Sequence, residues 1–286
     1  MQKKIAAIHD ISGFGRCSLT VALPILSAAG HNCAVLPTAV LSTHTGGLGD
    51  FTYRDLTDDI RPFAKHWQDL GLSFDAMYSG FLGSGLQVDM LMEVFKLFGD
   101  SVILVDPVMA DNGSLYKTFH QDFPKKMAEL CHVADIITPN ITEAALLTGI
   151  PYNPGPYTKE QINTKLRKLA DVFGKEKQYV ITGVFFNEEE IGAAALKDGN
   201  TFYYVDERTP QFYPGTGDIF ASVLLGALLG GADLFEACIA SVNFTAACAK
   251  RTFATGQDPR YGVQFEPELG RIILRRADLE KSRGVC

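Results

Sequence analysis

The run PGTGDIF, residues 214–220, sets two glycines and a threonine immediately before an acid that opens an apolar, helix-forming stretch. Glycines leave backbone N–H groups accessible, and N–H groups at a helix start attract anions. Gly215, Thr216 and Gly217 therefore read as an anion hole, with Asp218 placed to act on whatever attacks the bound anion. The same acid has a plain structural reading, because a carboxylate in a first helical turn complements the helix dipole. Two readings are also open at TPNITE, residues 138–143. Asn140 and Glu143 have the spacing of a capping box, and equally that of two arms hydrogen-bonding the water around Mg²⁺, an ion that prefers oxygen ligands. DPVMAD, residues 106–111, adds Asp106 and Asp111 as a solvated loop or as further acids at the same edge.

Several chemistries are excluded or weakened. No G-x-x-x-x-G-K-[ST] occurs, so there is no P-loop, and no G-x-S-x-G suggests a nucleophile elbow. ISGFGRCS, residues 11–18, carries G-x-G after an apolar run, but Ser18 stands where a dinucleotide fingerprint needs its third glycine. The six histidines show no zinc-ligand spacing.

These residues need a scaffold, and the chain supplies an alternating one. Short apolar, β-rich runs at 4–11, 32–40, 75–82, 101–108, 134–140 and 178–186 are separated by helix-spaced stretches such as 19–30, 85–99 and 158–174. This pattern predicts an α/β fold: a single-domain, three-layer sandwich over residues 1–286, with a mostly parallel central sheet and helices on both faces. After 186, two strand-like runs meet at KDGN, a hairpin signal, and two apolar helices follow at about 216–231 and 233–253. In open α/β sheets ligands sit beyond the carboxyl ends of the strands. Ser12, His44 with Thr45, Phe81, Asp106, Asn140 with Glu143, and Thr182 all fall at or just after such ends.

Composition bounds the partners. With 286 residues, 47% hydrophobic and 21% charged, the chain reads as globular with a substantial core, and it has no apolar run of membrane-spanning length. A net charge of −7 argues against nucleic acid as a partner. Six cysteines without a CxxC pair fit a reducing, cytoplasmic setting.

Taken in order, DISGFGRCS (10–18), LSTHTGG (41–47), YSGFLGS (78–84), DPVMADNGSLY (106–116), ITPNITEAALLTG (137–149), VIT (180–182) and PGTGDIFASVLLGALL (214–229) resemble the ribokinase-like superfamily and, within it, the pyridoxal kinases. The resemblance runs over about residues 5–250. It implies ATP-dependent phosphorylation of the hydroxymethyl group of a B6 vitamer, with Asp218 as base and Gly215, Thr216 and Gly217 as anion hole. It assigns Asn140, Asp106, Asp111 and Thr182 to ATP phosphates, Glu143 and Asp106 to Mg²⁺, and Ser12, His44, Thr45 and Phe81 to the pyridine substrate. A monovalent cation such as K⁺ and a homodimer also come with it. Two departures stand out: Phe81 replaces a tyrosine common in pyridoxal kinases, and GGLGDF after His44 is unusually glycine-rich. Alternatives are a hydroxymethylpyrimidine kinase, a small-sugar kinase, and a non-catalytic vitamin-binding regulator. The interval 42–75 is too short and too helical for the β lid of sugar kinases, and a regulator has no use for Asp218.

Overall fold

A computed structural model describes residues 2–272. The elements run β1 (Lys4–Ser12), α1 (Leu19–Ala28), β2 (Asn32–Leu41), β3 (Tyr53–Asp55), α2 (Thr57–Asp69), β4 (Ala76–Ser79), α3 (Gly85–Leu97), β5 (Val102–Val105), β6 (Ala110–Asp111), β7 (Ser114–Leu115), α4 (Phe123–Val133), β8 (Ile136–Ile137), α5 (Ile141–Thr148), α6 (Lys159–Phe173), β9 (Gln178–Val184), β10 (Glu190–Lys197), β11 (Asn200–Glu207), α7 (Thr216–Leu229) and α8 (Leu234–Thr255). Nine strands form one sheet in the order β11-β10-β9-β8-β5-β4-β1-β2-β3, and β6 pairs with β7 in a separate hairpin. From β2 through β1, β4, β5 and β8 to β9 every pairing is parallel, while β3, β10 and β11 are antiparallel edge additions.

Side chains alternate across a strand, so each parallel strand feeds two cores. Ala6, Ile8, Met77, Ile103, Val105 and Ile137 pack with residues of α2 through α6 on one face. Ile5, Ala76, Tyr78, Leu104, Ile136 and Val180 pack with α1, α7 and α8 on the other. The three-layer α/β architecture read from the sequence is the one observed. Local signals explain the punctuation. Thr158 and Gln161 form a capping box at α6, as do Asp233 and Glu236 at α8. Asp198 (φ 50°) and Gly199 (φ 76°) both adopt positive φ in the tight turn between Lys197 and Asn200, which closes the hairpin expected at KDGN. The interval 42–75 holds α2 and also the three-residue β3, which extends the sheet beside β2. No helix among the described residues is long and apolar enough to cross a membrane.

Candidate active site

Parallel strands deliver their carboxyl ends to one edge, and the residues singled out in the sequence collect there. Ser12 closes β1, Asp106 follows β5, Asn140 follows β8, and Thr182 lies in β9, bridged to Asn140. Backbone bonds stitch the edge together: Asp106 N–H to Ser79 O at 2.9 Å, Thr138 N–H to Val105 O at 3.1 Å and Thr182 N–H to Pro139 O at 3.0 Å. The start of α7 faces this row. Gly215, at φ 81°, is its N-cap residue, and no side chain caps the helix. The N–H of Ile219 donates to the carbonyl of Gly215 at 3.1 Å. The N–H groups of Thr216, Gly217 and Asp218 precede the first bond the helix can make, and no acceptor for them is found among the described residues.

Asp218 is half-buried in the first turn of α7, and its Oδ2 accepts the N–H of Ser18 at 2.9 Å. Burial pushes its carboxyl up to about 7, helped by the charge of Asp10 and opposed by the Ser18 N–H. Asp106 is 6% exposed. Burial and the charges of Glu143 and Asp218 hold its carboxyl well above the usual range, with Thr138 pulling the other way. A methyl added to Gly217 would lie 3.9 Å from Asp106 Oδ2, so the turn into α7 and this acid line the same space.

At TPNITE the geometry is that of the capping reading. The capping box is real: Asn140 Oδ1 accepts the Glu143 N–H at 2.9 Å and Glu143 Oε2 accepts the Asn140 N–H at 2.9 Å. Glu143 also accepts from Met109 N–H at 3.0 Å, and Asn140 Nδ2 donates to Ala110 O at 2.8 Å. The pair therefore clamps the DPVMAD loop onto α5. Asp111 lies in the β6–β7 hairpin, half-buried, its Oδ1 accepting the N–H of Asn112 at 2.8 Å.

The substrate-side positions are more varied. Phe81 is half-buried and joins an aromatic row, 5.5 Å from Phe119, which stacks on Phe123 at 3.9 Å. Ser12 is buried and donates to Asp10 Oδ2 at 2.8 Å. Thr45 is exposed. Both ring nitrogens of His44 are occupied: Nδ1 accepts the Gly46 N–H at 2.9 Å, so Nε2 carries the proton and donates to Arg260 O at 2.6 Å. His44 thus pins its own loop to the segment at 258–262, which differs from a free ligand for the substrate.

Four residues escaped the sequence reading. Asp10 is buried under Ser12 and Ser18. Ser18 adopts φ 55°, ψ −130° and turns its N–H toward Asp218. Burial pushes the Tyr116 phenol upward, helped by the charges of Glu143, Asp111, Asp106 and Asp218. Tyr53, from β3, brings its hydroxyl to within 2.4 Å of where a side chain on Gly83 would begin. The signal for Asp10 is its place near the carboxyl end of β1, two residues before Ser12; Ser18 offers none, because its bond to Asp218 is made by the backbone.

A parallel-centred sheet with helices on both faces thus presents, at one edge, an uncapped helix start carrying a carboxylate together with acids from three strand ends. The sequence profile described as phosphomethylpyrimidine kinase matches residues 27–262, and the chain belongs to that family. It is similar to the pyridoxal kinase of Lactobacillus plantarum, 34% identical, with 97% of this chain and 99% of that one covered at a TM-score of 0.90. It is also similar to a Bacteroides thetaiotaomicron protein, provisionally described as a phosphomethylpyrimidine kinase and crystallised with pyridoxal: 39% identical, 95% and 96% covered, TM-score 0.89. Among curated proteins, the pyridoxine kinase of Bacillus subtilis is 26% identical over 205 residues, which is 70% of this chain and 73% of that protein.

Proposed function

We propose that the chain transfers the terminal phosphoryl group of ATP to the 5′-hydroxymethyl group of pyridoxal, and of pyridoxine and pyridoxamine. The carrying observation is Asp218, a carboxylate pushed up to about 7 beside three N–H groups of Thr216, Gly217 and Asp218 that are open to an anion. Full-length similarity to a pyridoxal kinase and to a pyridoxal-bound protein supports the acceptor. In the reaction the substrate hydroxyl gives its proton to Asp218 as its oxygen bonds to phosphorus. The bond between phosphorus and the bridging oxygen of ADP breaks, and the leaving electron pair stays on ADP. The open N–H groups hold the charge spread over the transferring phosphoryl oxygens. Thr182 and Asn140 face the phosphates from β9 and α5, and Phe81 and Ser12 bound the ring.

Mg²⁺ fits this edge. Asp10, Asp106, Glu143 and Asp218 bring negative charge together, and none of them takes part in an ion pair among the described residues. No group of three or more His, Cys, Asp or Glu is arranged to enclose a metal among those residues. Asp106 and Glu143 would hold such an ion through water rather than enclose it. It would neutralise phosphate charge there. A homodimer and a K⁺-like ion belong to the same reading and rest on the resemblance.

A pyrimidine acceptor is the second reading, favoured by the family profile. An ADP-release assay with pyridoxal, hydroxymethylpyrimidine and ribose separates the readings. Pyridoxal is expected to give the highest kcat/KM, because Phe81 offers a flat apolar surface beside a few polar groups, whereas a sugar calls for a denser polar array. Faster turnover of ribose than of pyridoxal overturns the proposal, and faster turnover of hydroxymethylpyrimidine moves the chain to the second reading.

A further inference from the structure

Asp10 adds to the acid cluster but takes no proton and has no step of its own in the transfer just described, yet it stands between Ser12 and the Ser18 turn that meets Asp218. It is 3% exposed at the end of β1. Its Oδ2 accepts the Ser12 hydroxyl at 2.8 Å and its Oδ1 the Ser18 hydroxyl at 2.5 Å. Ser18 in turn donates its N–H to Asp218 Oδ2 at 2.9 Å. The φ of 55° at Ser18 is one that residues other than glycine avoid, so the turn persists only because something holds it. The outer side of the loop is anchored elsewhere: Arg16 Nε bonds Glu266 at 2.7 Å, and Phe14 meets Tyr261 edge-on at 5.1 Å. Neither contact touches Ser18. On the inner side the Ser18 backbone is bridged to Ile11 and its carbonyl accepts the N–H groups of Val21 and Ala22, while Asp10 is the side chain that holds its hydroxyl. A carboxylate suits this because both of its oxygens accept while two separate hydroxyls donate.

We propose that Asp10 is a positioning residue for phosphoryl transfer: one oxygen holds Ser18 so that its N–H is aimed at Asp218, and the other holds Ser12 at the acceptor pocket. Base and acceptor contact are thereby set by a single buried side chain. This rests on the pyridoxal kinase reading for its kinetic consequences, though the tether itself does not.

The test uses the full chain and the variants Asp10→Ala, Asp10→Asn and Ser18→Ala, with pyridoxal and ATP varied separately. Displacing a reacting group by about 1 Å costs on the order of 10²-fold. Asp10→Ala is expected to lower kcat by roughly that factor and to raise KM for pyridoxal several-fold, with KM for ATP within about twofold of wild type. Asp10→Asn keeps one strong acceptor and should recover part of the loss. Ser18→Ala should lower kcat while leaving KM for pyridoxal in place. Adding Asp10→Ala to it should then cost little further kcat, because the two act as a unit. Deuterium uptake of a peptide spanning residues 13–20 should be faster in Asp10→Ala, and this needs no turnover. Unchanged uptake, or kcat and pyridoxal KM both within about twofold of wild type, overturns the proposal. So does a loss that only tracks the folded fraction. Should Asp10→Ala fail to fold, Asp10→Asn and Ser18→Ala decide by the same readouts. Failure of the wild type to phosphorylate pyridoxal counts against the functional reading, and the uptake comparison still decides the tether.

Discussion

A carboxyl group titrating near 3.9 in water is a poor acceptor for a hydroxyl proton, and Asp218 is changed by its surroundings into a better one. Burial takes it up to about 7. The base must be ionised to work, so kcat/KM for pyridoxal should fall as pH drops below about 7, and a profile flat down to about 5 would contradict this. Asp218→Asn keeps an oxygen for the Ser18 N–H and remains acceptable in a first helical turn, so it should fold and bind ATP as well as or better than wild type. It cannot take the proton. The expected loss in kcat is about 10²- to 10⁴-fold, roughly 3 to 5 kcal/mol at about 1.36 per decade. A kcat within about threefold of wild type leaves Asp218 as a helix-start residue only. Glu143 behaves differently because its two oxygens face N–H donors from both Asn140 and Met109. Glu143→Gln must turn its amide nitrogen toward one of them, leaving a buried donor unmatched at a cost of roughly 1–3 kcal/mol. Thermal unfolding should show that loss, and turnover should need more Mg²⁺. An unchanged Tm with normal Mg²⁺ dependence would mean that the carboxylate neither clamps the loop nor serves the ion.

The element that joins these residues is the turn into α7, and its two glycines have different reasons to be there. Gly215 sits at φ 81°, and a methyl on it would fall 2.1 Å from the carbonyl oxygen of Arg16. Gly215→Ala therefore combines a backbone penalty of roughly 1–3 kcal/mol with a collision against the 13–18 loop. It should lower both Tm and activity. A methyl at Gly217 meets nothing closer than Asp106 Oδ2 at 3.9 Å, so Gly217→Ala should fold normally and lose activity by filling the anion space. Equal Tm losses in the two variants would show that the turn is structural throughout. The sequence makes this element legible because glycine spacing, an acid and an apolar helix are local signals. The alternating sheet, the β10–β11 hairpin and the Asn140–Glu143 box are legible for the same reason. What could not be read depends on contacts between distant segments. β3 has only three residues and exists by pairing with β2. The occupation of His44 Nε2 requires the carbonyl of Arg260, which is 216 residues away. Ser18 serves Asp218 through a backbone N–H that any residue type carries.

Across the whole molecule, Asp10, Asp106, Glu143 and Asp218 converge from β1, β5, α5 and α7 in a chain of net charge −7. Burial is the first cause raising each of the four carboxyls. An acid whose folded value lies above its unfolded one keeps its proton longer when folded. Between the two values the folded state binds more protons than the unfolded chain, so stability falls as pH rises through that window. For Asp218 the window runs from the usual carboxylate range near 3.9 to about 7. Asp75, Glu93 and Asp258 are shifted downward by their bonds to Lys3, Arg61 and Arg260, and these work in the opposite direction. These three lie near the surface, where such pairs contribute about 0–1 kcal/mol. Glu268 is buried and, against its burial, lowered on balance by its bonds to Arg251 and Arg271, but it is a single acid against four that are raised, so the cluster should dominate. Without ligands, Tm measured by calorimetry is expected to decline between about pH 5 and pH 8. Asp218→Asn removes one of the four titrations and should make that decline shallower. Mg²⁺ with ADP should raise Tm more at the upper end of the range than at the lower, because a cation relieves repulsion only among carboxylates that are ionised. A Tm that climbs with pH, or an unchanged slope in Asp218→Asn, would mean that the converging acids are not held against their own charge, and the case for a cation at this edge would lose its electrostatic basis.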